Sequence, residues 1–146
     1  TFEKSQMYKQ ILRENKIPYD PELVMDDGGR YDFETGYRQM NGLLARRRDM
    51  TAVIAVNDFT AIGVMRSLNE HGIRIPQDMS VVSYDNTYMA EMAMPRLTSI
   101  DYNYEEYGRK LIDTSIALIE GRKRDALRMV MPSLVVRESS GSAPKR

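Results

Sequence analysis

Apolar positions along this chain alternate between a spacing of three to four residues and short unbroken runs, and the switches mark out helices and strands. From about Lys4 to Asn15, Met7, Ile11 and Leu12 fall on one side of a helix. Pro18 and Pro21 mark a loop, Glu22 to Met25 reads as a short strand, and Asp26-Asp27-Gly28-Gly29 as a turn. A second helix, Phe33 to Arg47, carries Tyr37, Met40, Leu43 and Leu44. Thr51 to Val56 is too short for a helix and rich in Val and Ile, as a strand buried on both faces should be. Asp58 is placed to cap the next helix, which carries Ala61, Val64, Met65 and Leu68 and stops at Gly72. Strands follow at Met79 to Tyr84 and Leu97 to Ile100. The helix from Tyr104 to Glu120 would bury Tyr107, Leu111 and Leu118 and end at Gly121. Short strands at Arg128 to Met131 and Leu134 to Val136 complete the pattern, and Ser139 to Arg146 is a polar tail expected to fray. Alternating strands and helices predict an α/β, doubly wound parallel sheet with helices on both faces.

Composition narrows the chemistry. The 146 residues, 42% hydrophobic, suffice for one core, and no run approaches the roughly 18 apolar residues of a membrane helix. No secretory signal stands at Thr1-Phe-Glu-Lys, and with no initial Met a processed, truncated or excerpted chain is expected. With no cysteine and only His71, a zinc site or a His-assisted nucleophile is disfavoured. No phosphate loop or dinucleotide fingerprint is present. Basic and acidic residues balance at 21 each. The clusters Arg46-Arg47-Arg48 and Arg122-Lys123-Arg124 end helical stretches, where cations complement the helix dipole, so no DNA-reading surface is expected in this chain.

Candidate chemistry lies where apolar runs stop. Asn57 follows Thr51 to Val56, and Asp85 follows Ser80 to Tyr84. The carboxyl ends of strands in open parallel sheets are where ligands bind. An amide and a carboxylate can together take the hydroxyls of a sugar, while tyrosine rings cover its apolar faces. The same residue types also cap helices and loops, and both roles stay open. Asp26-Asp27 with Asp58 and Asp85 offers a less favoured magnesium pocket, with Asp85 as a phosphate acceptor. The Met89 to Pro95 loop, with Ala90, Met92, Ala93 and Met94, forms an apolar patch of the kind found at interfaces.

These segments also resemble the effector-binding domain of LacI/GalR-type transcriptional regulators, a periplasmic-binding-protein-like type I fold. The matching residues are Asn57-Asp58, Ala61-Ile62-Gly63, Gly72-Ile73-Arg74-Ile75-Pro76-Gln77-Asp78, Val81-Val82, Tyr84-Asp85, Pro95 to Ile100, Tyr107-Gly108 and Leu134 to Ser140. The resemblance implies that residues 1–138 are the carboxy-terminal part of a two-lobed domain, comprising the second lobe and crossover segments. The Tyr104 to Glu120 helix would then pack in a first lobe outside this chain, and a helix-turn-helix that reads operator DNA would also lie outside it. It implies an effector site at Asn57 and Asp85, with Tyr31 stacking on the ligand and Tyr102 and Tyr104 closing the cleft. It further implies homodimerisation through Phe59, Ile62, Met65, Met92 and Ala93. The expected partner is a small carbohydrate effector, with no catalysis, cofactor, metal or membrane, in the cytoplasm. A transport-associated sugar-binding protein of the same fold is the alternative. One departure stands out: the family often carries an effector-gripping Arg where this chain has Glu3.

Overall fold

The computed structural model describes residues 2–25, 28, 30–122 and 130–144. Of the sequence expectations, Asp26, Asp27 and Gly29 of the turn, Lys123 and Arg124 of the basic cluster, and Arg128 and Met129 of a strand lie outside the described residues. Helix α1 spans Phe2–Glu14, α2 Phe33–Arg46, α3 Asp58–Glu70, α4 Tyr88–Met92 and α5 Tyr104–Ile119. Strands β1 (Ala52–Ile54), β2 (Ser80–Tyr84) and β3 (Thr98–Asp101) run parallel in chain order, and β4 (Ser133–Val135) returns antiparallel beside β3. The sheet is therefore mixed rather than wholly parallel. A parallel neighbour needs a crossover that brings the chain back to the far end of the sheet. Here β4 enters beside Asp101, the end at which β3 finished, and must run backwards.

Strand register sorts the side chains. Val53 pairs with Val81 and Ser83 with Ser99, so with a period of two these four share one face. That face receives α3, whose Ala61, Val64, Met65 and Leu68 meet Met40, Leu43 and Leu44 of α2 in the core. Each large aliphatic side chain buried this way contributes about 1.5–3 kcal/mol. The two helices touch backbone to backbone. A Cβ at Gly36 would lie 2.1 Å from the Thr60 carbonyl oxygen, and one at Gly63 2.1 Å from that of Phe33. Only glycine permits this approach.

Several expectations are corrected. Glu22 to Met25 is not a strand: Pro21–Leu23 forms a 3-10 turn, started by the Asp20 side chain accepting from the Glu22 amide. Local turn chemistry overrides the apolar pair Val24-Met25. Asn57, not Asp58, caps α3, accepting from the Thr60 amide at 2.8 Å. The strand at Thr51 to Val56 is not buried on both faces. It is the sheet edge, and Ile54 is 62% exposed. Met89 to Pro95 is not all loop, since α4 occupies its first part.

Within this chain the apolar face of α5, including Tyr107, Leu111 and Leu118, is exposed, as expected of a helix packing outside it, with Ile119 at 85%. Val130 and Met131 lie in no strand. The segment after Glu138 does not begin as a frayed tail. Ser139 is fully buried, donates to the Val81 carbonyl at 2.6 Å and accepts from the Thr98 amide at 2.8 Å.

Candidate functional site

Two turns leave the carboxyl ends of the parallel strands side by side. After β2 the chain bends sharply, with Asp85 at φ +97 and Asn86 at φ +46, conformations that L-residues adopt only when surroundings hold them. The surroundings do so. The Asp85 amide donates to the Ile100 carbonyl at 2.9 Å, and the Asn86 amide donates to the Ser99 hydroxyl at 3.0 Å. The Asn86 side chain donates to Asp101 and accepts from the guanidinium of the nearly buried Arg137 at 2.7 Å. Arg137 also donates to the Leu97 carbonyl at 2.8 Å, so a residue from beyond β4 braces the turn.

Beneath this turn lies Asp58, 1% exposed. Its Oδ1 accepts from the hydroxyls of Ser83 (2.5 Å) and Ser99 (2.7 Å). Its Oδ2 accepts from the amide (2.6 Å) and hydroxyl (2.8 Å) of Thr87. Four donors satisfy a buried carboxylate that would otherwise be costly. Sequence reasoning assigned Asp58 to capping and missed this role; the serines at corresponding positions of two strands were the available signal.

Asn57 spends one acceptor position on the cap and donates from Nδ2 to the Tyr31 carbonyl at 3.1 Å. An amide keeps one further donor and acceptor position beyond these. Tyr31 is thereby tied to the site through its backbone, while its side chain is half exposed.

Asp85, Tyr102 and Tyr104 form one cluster with two residues not foreseen, Lys4 and Tyr84. The Tyr84 and Tyr102 rings stack with centroids 6.4 Å apart, and Tyr104 tilts against Tyr102 at 5.9 Å. Tyr104 lies close enough to Asp85 for each to act on the other's titration. Lys4 extends from the first turn of α1, its ammonium 3.7 Å from the Tyr84 ring centroid and 3.0 Å from the Val56 carbonyl oxygen. Glu3 itself is exposed. The cation at this end of α1 is Lys4, one position on.

Burial raises the pKa of Asp85 above its ordinary 3.8, opposed by the Lys4 charge and reinforced by Asp58. Burial lowers that of Lys4, opposed by Asp85. Tyr102 and Tyr104 are raised by burial first and then by Asp85. The cluster thus offers a carboxylate acceptor, an ammonium donor and ring faces within one set of contacts, joined to Asn57 through Val56.

The residues named for an interface divide. Phe59 and Met92 are exposed and Ile62 is partly buried, but Met65 (6% exposed) and Ala93 (9%) belong to the chain's own core. Met94, by contrast, is 94% exposed. A separate surface concavity of about 600 Å³, lined by Phe33, Tyr37, Ile62, Met65, Arg66 and Met94 among others, shares no residue with the Asp85 cluster. Among the described residues no helix is long and apolar enough to cross a membrane.

A family profile described as "Periplasmic binding protein-like domain" matches residues 3–140. The HTH-type transcriptional repressor PurR of Haemophilus influenzae is 31% identical over 136 residues, covering 90% of this chain and 40% of that protein. The chain thus spans about two fifths of this curated relative. A solved structure described as the transcriptional regulator CelR–cellobiose complex superposes with a TM-score of 0.83 at 34% identity, covering 95% of this chain and 42% of that one. A structure of the lac repressor dimer bound to operator and the anti-inducer ONPF gives a TM-score of 0.80 at 27% identity, covering 92% and 46%.

Proposed function

The chain belongs to the periplasmic binding protein-like domain family, and from that premise we propose that it is the effector-sensing part of a LacI-type transcriptional regulator. The observation that carries this reading is the cluster of Asp85, Tyr102 and Tyr104 beside Asn57 at the strand ends, a set of groups complementary to a hydroxyl-rich ring. The effector is a small carbohydrate, and the protein is not an enzyme. Similarity to proteins named as regulators favours this over a transport-associated binding protein.

Residues 1–138 form the carboxy-terminal part of a two-lobed domain, and the exposed apolar face of α5 packs in the other lobe. Phe59, Ile62 and Met92 contribute to a homodimer, and operator DNA is read by a helix-turn-helix outside this chain. The protein works in the cytoplasm. Effector shifts the balance between two lobe arrangements by binding one of them more tightly.

The test is calorimetric titration of the full-length protein with sugars, paired with operator binding in their presence. A sugar should bind and change operator affinity, and Asp85→Ala should weaken that sugar at least about tenfold, the loss expected for a charge-assisted hydrogen bond. Unchanged sugar affinity in Asp85→Ala would refute the site.

A further inference from the structure

We propose that Lys4 is a ligand-contacting residue which, together with the neighbouring Asp85, restricts this site to neutral, unphosphorylated polyhydroxyl ligands. The inference rests on the reading that the Asp85 cluster is the effector site and adds the ligand's charge class and a donor to it. The ammonium of Lys4 is held in place before any ligand arrives. It donates to the Val56 carbonyl at 3.0 Å, lies 3.7 Å from the Tyr84 ring centroid and 6.0 Å from that of Tyr102, and is attracted by Asp85. An ammonium has three donors and Val56 takes one. The remaining donors and the Asp85 oxygens are charged partners of opposite sign within one cluster.

A hydroxyl group suits such a pair, because it donates to the carboxylate while accepting from the ammonium. Each bond is charge-assisted, and each strengthens the other in a partly desolvated setting. Vicinal hydroxyls on one ring satisfy both ends, and the ring's C–H face lies on the stacked tyrosines.

A charged ligand does not suit it. Among the described residues of this cluster Lys4 is the one cation, while Asp58 also acts on Asp85 and Asp101 on Tyr104. A phosphate or carboxylate would meet these carboxylates with a single lysine to offset them. An amine would have to displace Lys4 from the Tyr84 ring to reach Asp85.

The experiment is titration of the full-length protein with D-glucose, D-ribose and cellobiose, against glucose 6-phosphate, glucuronate and glucosamine. The wild type should bind at least one neutral sugar and bind each charged probe at least about tenfold more weakly. Lys4→Met, which keeps the apolar stem, should weaken the neutral sugar about tenfold or more with an unchanged melting temperature for the free protein, while Lys4→Arg should stay within about threefold. Tightest binding of a charged probe overturns the charge-class assignment without any variant. Unchanged affinity in Lys4→Met, with binding lost in Asp85→Ala, overturns the role of Lys4 and leaves the proposed function standing. A folded protein that binds none of the six overturns both.

Discussion

The carboxylate of Asp58 holds Thr87 twice through a single oxygen, from the amide at 2.6 Å and from the hydroxyl at 2.8 Å. The other oxygen reaches Ser83 on β2 and Ser99 on β3. One buried side chain therefore ties the start of α3 to two strands and to the turn that carries Asp85. It fixes the turn's shape without belonging to its exposed surface.

Asp58→Asn replaces an acceptor-only group by one that must also donate, among partners that are already donors. It should lower the unfolding free energy by about 2–4 kcal/mol, measured by urea denaturation, and weaken ligand binding in parallel. A variant of wild-type stability would refute the hub.

Asp85→Gly should separate stability from binding. Glycine tolerates φ +97 and removes a carboxylate whose charged form is penalised by burial. The unfolding free energy should stay level or rise by up to about 1 kcal/mol, with effector binding abolished in the same preparation. Loss of stability comparable to that of Asp58→Asn would contradict this.

Ligand affinity should fall on acidification earlier than an ordinary aspartate would dictate. The raised pKa of Asp85 means that its acceptor form is lost as pH drops through a value above 3.8. The sign for stability is opposite: protonation relieves the buried charge, so this group's contribution to folding improves over that window. Kd and melting temperature measured from about pH 7 to pH 4, each compared with Asp85→Asn, should move in these opposing directions.

Gly36→Ala and Gly63→Ala should each cost about 3 kcal/mol or more in thermal or chemical unfolding, because the added methyl meets a carbonyl oxygen of the facing helix rather than a flexible side chain. Gly28→Ala, where nothing lies within 4 Å of the added carbon, serves as the comparison and should cost less despite its φ of +87.

The 146-residue chain alone should self-associate with rising concentration through the exposed α5 face. Replacing Leu118 and Ile119 together by Lys should shift light-scattering mass toward the monomer, and no shift would place the association elsewhere.

Periodicity located α2, α3 and α5 to within a residue or two, because each carries several turns of apolar repeat and a capping residue that acts locally. It also put Asn57 and Asp85 at strand ends. What it missed is non-local. Asp58 looks like a cap until the register sets Ser83 beside Ser99. Lys4 looks like a surface lysine until α1 places it over Tyr84, and the two are joined by no sequence pattern. The edge position of β1 depends on which strands pair, so an apolar Ile54 could be read as core. A polar Ser139 reads as tail because its burial comes from contacts with residues 41 and 58 positions away.

Those Ser139 contacts leave the β2–β3 pair incomplete until residues beyond β4 are in place. β2 and β3 can pair as soon as both have left the ribosome, but their shared end lacks its bonds to Val81 and Thr98 until Ser139 follows. Arg137, which braces the Asp85 turn, arrives at the same late moment. Long-range closures of this kind are slow steps in folding. A chain cut before Arg137 should therefore keep its helices and the β2–β3 pair yet hold the Asp85 turn more loosely.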